Sequence, residues 1–114
     1  IENAVLQADE GIDIQEASGI TLNNITMITK NTNPVTYILN SDNITIDNLK
    51  YKEGAELLTQ VQGNRTKQIS ILNTDVTKAK QKLVAGFGST DTVVSWEKQK
   101  VVEIKQPKKK SKKN

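Results

Sequence analysis

The sequence predicts an all-β fold, a right-handed single-stranded parallel β-helix of about four coils. Three observations predict it. Asparagine recurs at positions 3, 24, 48 and 73, in steps of 21, 24 and 25 residues. A spacing in the low twenties fits a β-solenoid with variable turns, whereas helical repeats need ~33 residues or more per unit. Each of the last three asparagines closes an apolar-x-apolar-x run: Ile20-Thr21-Leu22-Asn23, Ile44-Thr45-Ile46-Asp47 and Ile69-Ser70-Ile71-Leu72. Alternation with period two describes a strand with one buried face. Finally, the 35% apolar content is mostly Ile, Val and Leu, with aromatics at only 4%, and β-branched residues favour strands.

The elements follow in order. Ile1-Glu2-Asn3 is a partial first copy of the motif, and Val94-Ser95-Trp96-Glu97-Lys98 is a last one in which Lys98 takes the Asn position. Alternation continues past each Asn, through Ala4 and Leu6, Ile25 and Met27, Leu49 and Tyr51, then Thr74 and Val76. Each Asn therefore marks a corner between two short strands, because Asn tolerates the left-handed backbone that a sharp corner needs. A further strand is predicted in each coil at Ile12–Gln15, Val35–Asn40, Leu57–Gln62 and Leu83–Phe87. Turn residues separate it from the next motif: Ala17-Ser18-Gly19, Ser41-Asp42-Asn43, Gly63-Asn64-Arg65 and Gly88-Ser89-Thr90. A competing reading makes Val76, Ala79 and Leu83 one face of a short amphipathic helix over 75–85.

Stacking predicts which residues meet. Ile20, Ile44, Ile69 and Val94 form one aliphatic column; Ile1, Leu22, Ile46, Ile71 and Trp96 form a second. Each buried aliphatic side chain is worth roughly 1.5–3 kcal/mol, and a lone coil cannot bury its face. The structural asparagine ladder is Asn3, Asn24, Asn48 and Asn73, expected to be buried. No amphipathic capping helix is visible at the start, so the first coil is expected to be uncapped and to promote self-association. The coils are assigned to residues 1–104, with a last strand through Val101, Val102 and Ile104. Residues 105–114 hold six lysines and no apolar residue, and are assigned to a disordered basic tail.

Composition limits the chemistry. The net charge of +3 belongs to that tail; residues 1–104 carry −3. The chain has neither cysteine nor histidine, which removes thiol chemistry, the commonest general base and the usual zinc ligands. No apolar run approaches the ~18 residues that span a bilayer. No aromatic is interleaved with the lysines, so neither nucleic acid nor membrane is expected as a partner, and no cofactor is implied.

Ala8-Asp9-Glu10-Gly11-Ile12-Asp13, followed by Ser18-Gly19-Ile20-Thr21-Leu22-Asn23-Asn24 and Ser41-Asp42-Asn43-Ile44-Thr45-Ile46-Asp47-Asn48, resembles the polygalacturonase-like glycoside hydrolases of family 28. The likeness covers residues 1–97 in pattern and is nearest to the C-terminal coils of Bacteroides-type members. It implies a parent that is an inverting hydrolase of pectic polysaccharide, in the periplasm or outside the cell. It also implies three Asp on neighbouring coils, a Gly-His-Gly segment and an Arg-x-Lys pair. Asp9 matches one Asp, but Gln7 and Ala8 replace its neighbours and Glu10 is inserted. Asn33-Pro34-Val35-Thr36 stands where an Asp pair belongs, and no His exists. Arg65-Thr66-Lys67 keeps only the spacing.

Geometry leads to the same expectation. Inversion needs two carboxyl groups about 6.5–9.5 Å apart. Asp9 and Asp13 on one strand would lie roughly 13 Å apart, and the coil neighbour of Asp13 is near Tyr37, not an acid. No catalytic residue is therefore assigned. Lys50 and Asp75 are expected to form a surface ion pair. Trp96, Tyr37 and Tyr51 are expected to fill coils rather than stack on sugars. The sequons at Asn24, Asn43 and Asn64 are what an Asn/Thr-rich chain gives by chance. A calcium-dependent lyase would need clustered acids that the repeat does not supply. The expectation is a supporting β-helix fragment of a pectic hydrolase, in contact with polysaccharide only through its parent. The alternative is a non-catalytic solenoid with a structural, adhesive or glycan-binding role.

Overall fold

The computed structural model describes residues 1–97. The strand expected at Val101–Ile104 and the basic tail at 105–114 lie outside the described residues. The described chain winds as a parallel β-solenoid of about four coils, with two sheets on its sides. One sheet stacks β1 (Glu2–Ala8), β3 (Ser18–Thr29), β5 (Asp42–Lys50), β7 (Lys67–Leu72) and β9 (Val94–Glu97) in that order. The other stacks β2 (Ile12–Gln15), β4 (Thr36–Leu39), β6 (Ala55–Gln62) and β8 (Ala79–Gly86). Every pairing in both sheets is parallel. No helix among the described residues is long and apolar enough to cross a membrane.

The register follows the repeat. Ile20 pairs with Ile44, Ile44 with Ile69, and Ile69 with Val94. Leu22, Ile46, Ile71 and Trp96 pair in the same way, two residues further along each strand. Ile44, Ile46 and Ile69 are fully buried, because each is covered by a coil above and a coil below. Ile1, which heads the second column, is 67% exposed. Only one neighbouring coil touches it.

The inner face of the other sheet is mixed. One column, Ile14, Ile38, Val61 and Ala85, is apolar. The other runs Ile12, Thr36, Thr59 and Leu83. Thr36 and Thr59 are fully buried, and neither hydroxyl finds a partner. An unpaired buried hydroxyl opposes folding by about 1–3 kcal/mol, so this column is a weak point in an otherwise apolar wall.

Residues 75–85 fold as strand, not helix. A single 3-10 turn at Val76–Lys78 leads into β8, which pairs with β6 from Ala55–Ala79 to Gln62–Gly86. Lys78, Lys80 and Lys82 alternate along this segment, and β6 offers an edge to pair with. Tertiary pairing overrides the weak helical pattern.

Left-handed backbone recurs at three corners of the solenoid, although the second corner uses it in only three coils. The first is the asparagine corner, with φ of 54°, 59°, 58° and 51° at Asn3, Asn24, Asn48 and Asn73. The second stacks Gly19, Asn43 and Gln68. The third stacks Glu16, Asn40, Gly63 and Phe87, with φ from 47° to 97°. Between the last two corners runs a set of bonded hydroxyls. Ser41 Oγ accepts from Ala17 N, Thr66 Oγ1 accepts from Ser41 N, and Ser89 Oγ donates to Gly63 O. These side chains are buried, and they satisfy turn backbone that water cannot reach.

Candidate functional site

The asparagine ladder forms, with two differences from expectation. Asn24 Nδ2 donates to Asn3 Oδ1 at 2.7 Å, and Asn48 Nδ2 donates to Asn24 Oδ1 at 2.9 Å. Asn73 shares the column but donates to Asp47 Oδ1 at 3.0 Å instead of to Asn48. The ladder is also not buried: Asn3 and Asn24 are exposed, and Asn48 and Asn73 are half-buried. The corner residues point outward from the coil, so the amides bond one another along its surface. Both amide atoms of Asn24 are engaged in this way. Its role is structural.

The outer face of the β2–β4–β6–β8 sheet carries two columns of outward residues. Strand alternation places Asp13, Tyr37, Gln60 and Val84 in one outward column, and Gln15, Leu39, Gln62 and Gly86 in the next. Tyr37 Oη donates to Gln62 Oε1 at 2.7 Å, which fixes the ring against the sheet. Gln15 Nε2 donates to both carboxylate oxygens of Asp13, at 3.0 and 3.2 Å. This face presents one half-buried aromatic ring, half-buried Leu39 and Val84, three glutamine amides and one carboxylate. It is suited to contact with a neutral polar polymer, through ring stacking and hydrogen bonds.

It is not suited to acid–base hydrolysis. The partner of Asp13 on the next coil is Tyr37, and the one after that is Gln60. Asp9 does not share a strand with Asp13: it lies in the turn after β1, bridged to Lys30 at 3.7 Å. Among the described residues, no two carboxylates are register partners on neighbouring strands of either sheet. Among the described residues, no three His, Cys, Asp or Glu side chains group as a metal site.

An open groove of about 730 Å³ lies beside that turn, lined by Gln7, Asp9, Lys30, Thr32, Lys52 and Glu53, among others. Its charges alternate in sign and are exposed, so it favours no single ligand charge.

The remaining candidate residues have structural roles. Arg65 Nη2 meets Glu16 Oε1 at 2.7 Å, spanning the third corner across two coil steps, so Arg65 and Lys67 make no joint carboxylate clamp. Trp96 packs against the core beside its register partner Ile71, with Lys82 Nζ 5.0 Å from its ring centroid. Tyr51 is buried and its hydroxyl donates to Asp75 O. Burial pushes the Tyr51 phenol up, and the Asp75 carboxylate adds to the rise.

The Lys50–Asp75 ion pair does not form. The Asp75 carboxylate instead accepts from the Thr77 hydroxyl and backbone N–H, and those bonds hold it below the usual carboxylate range. A bond two residues away costs less chain entropy than fixing a long lysine across coils. Asn43 is exposed at the second corner, within β5, and Asn64 is exposed in a turn, but Thr66 is buried and its hydroxyl is bonded to Gln62 O.

Sequence reasoning did not find Gln60 and Gln62 as part of a face. Their signal was available, since both alternate with buried Thr59 and Val61. Comparison with protein-family models, with curated proteins and with solved structures gave no match.

Proposed function

We propose that these coils are a non-catalytic scaffold from a carbohydrate-active β-helix protein of the polygalacturonase-like kind, supporting catalytic groups that lie outside the described residues. One observation carries this reading: across the coils, Asp13 faces Tyr37 and not a second carboxylate. The likeness of Asp9-Glu10-Gly11-Ile12-Asp13 and of the coil motifs supports the carbohydrate assignment. A periplasmic or extracellular location follows from that likeness. Reducing-sugar release from polygalacturonate by the 114-residue chain tests it. The expected rate equals that of buffer, and turnover well above buffer would refute the scaffold role.

A second reading is favoured by the outer face of β2, β4, β6 and β8. There the coils bind glycan directly, with Tyr37 as the stacking surface and Gln15, Gln60 and Gln62 as hydrogen-bonding groups. Affinity electrophoresis in gels containing neutral or pectic polysaccharide separates the two. Retardation of the wild type that is lost in Tyr37→Ala supports direct glycan contact. Equal mobility in gels with and without polysaccharide supports the scaffold alone.

A further inference from the structure

Phe87 stands where neither backbone preference nor packing favours it. Its φ is 50° and it is 82% exposed. Left-handed backbone opposes a bulky aromatic, and a ring left in water gains little from the hydrophobic effect. Residues held in such regions cluster at ligand contacts, where the surrounding fold enforces them.

The surroundings leave the ring clear. Gly86 and Gly88 flank it, and Gly63 holds the same corner on the preceding coil. A Cβ built at Gly86 would meet nothing within 4 Å. Among the described residues, the other exposed large apolar side chains are Ile1, Val5 and Ile28, in or beside β1 and β3 of the other sheet. Phe87 is therefore a lone ring and not part of an exposed apolar patch. A protein interface would need a contiguous apolar centre. A lone ring bordered by amides suits a sugar, which can lay its C–H face on the ring and turn its hydroxyls to the amides.

Phe87 also extends the face that holds Tyr37. It follows Gly86, the last residue of β8, and Tyr37 lies two coil steps away on β4. Two steps of ~4.8 Å, and three residues of ~3.3 Å from the Tyr37–Val84 column to position 87, put the two Cα atoms roughly 14 Å apart on a diagonal. Gln60 and Gln62 lie on the coil between them and supply amides without charge. Arg65, at the nearby corner, is already paired with Glu16.

We propose that Tyr37 and Phe87 form a two-ring platform for one neutral polysaccharide chain, lying diagonally from β4 to the end of β8. No single sugar ring reaches both, so the ligand is an oligomer or polymer and not a monosaccharide. This rests on the direct-contact reading above, and adds to it a second stacking residue and a minimum chain length.

Affinity electrophoresis of the full chain in gels containing hydroxyethylcellulose, galactomannan or arabinan tests it, together with thermal unfolding. The wild type is expected to be retarded in at least one gel. There Phe87→Gly should weaken binding roughly two- to tenfold, the range of one aromatic contact, while unfolding at a higher temperature than the wild type. Phe87→Trp, which keeps a ring, should bind as the wild type does. Oligosaccharides of the retarding polymer should relieve the retardation, and its monosaccharide should not.

Retardation lost in Tyr37→Ala but intact in Phe87→Gly would overturn the two-ring platform and leave direct glycan contact standing at Tyr37. Relief by the monosaccharide at the same concentration as the oligosaccharide would overturn it as well. A Phe87→Gly chain that unfolds earlier than the wild type would also overturn it, because the ring would then serve packing. A wild type retarded in none of the gels would overturn this proposal and the direct-contact reading together.

Discussion

The asparagine corner and the third corner solve one mechanical problem in different ways. Both turn the chain with a single left-handed residue per coil, at φ of 51–59° in one and 47–97° in the other. At the first corner the residue is Asn in all four coils, and three of the four are joined directly, amide to amide. At the third the residues are Glu16, Asn40, Gly63 and Phe87. Only a weak 3.4 Å bond links Asn40 to Glu16, and an Arg65–Glu16 ion pair reinforces it. A left-handed residue costs roughly 1–2 kcal/mol for most side chains and little for Gly. The first corner offsets that cost in the side chains. The third absorbs it differently in every coil, so its stability rests on individual residues.

The largest effect is expected where the third corner relies on glycine. Gly63 has φ +97°, and a Cβ built there would lie 2.0 Å from Asn40 Oδ1 and 3.2 Å from Asn40 N. Gly63→Ala adds the left-handed cost to an overlap that displaces Asn40 from its bonds with Glu16 and the Arg65 N–H. The two together should lower stability by about 2–4 kcal/mol, read as a drop in the urea midpoint. Little change would mean that the third corner is pliable, and the contrast with the ladder would fail.

At the first corner the two contributions can be separated. Asn48→Ala loses the bond to Asn24 and puts Ala in the left-handed region, a combined cost of about 2 kcal/mol. Asn48→Gly loses the same bond but relaxes the backbone, so it should cost about 1 kcal/mol or less. Urea titration of both variants gives the difference. If Gly is as damaging as Ala, the amide ladder carries the corner and the backbone preference of Asn matters little. If Gly restores wild-type stability, the ladder is decoration on a backbone requirement.

This contrast also explains what was legible in the sequence. The asparagine corner could be read because one residue type serves both backbone and ladder, and so recurs with the coil. From it followed the columns Ile20–Ile44–Ile69–Val94 and Leu22–Ile46–Ile71–Trp96, and the pairing of Asp13 with Tyr37. The third corner has no shared residue type. Its turns were placed one or more residues late, at Ser41-Asp42-Asn43 and Gly88-Ser89-Thr90, because the left-handed residues Asn40 and Phe87 ended predicted strands. Thr36 and Thr59 defeated the polarity rule by turning hydroxyls into the core. The Lys50–Asp75 pair failed because a local bond to Thr77 outcompeted a contact between coils. Coil-to-coil stacking is periodic and therefore visible; choices made inside one turn are not.

The smallest effect has the opposite sign. Phe87 occupies the third corner with φ 50° and is 82% exposed. A bulky aromatic in this backbone region is a true outlier, and its ring recovers little packing among the described residues. It aligns with Gly63 one coil below, so the corner geometry already accepts glycine. Phe87→Gly should therefore raise stability, by up to about 1 kcal/mol after the greater entropy of glycine in the unfolded chain is subtracted. Thermal unfolding followed by circular dichroism reads it as a higher midpoint. A loss of stability would mean that the ring packs on another part of the chain, and that the third corner has a side-chain contribution of its own. The difference between the two corners would then narrow to Gly63 alone.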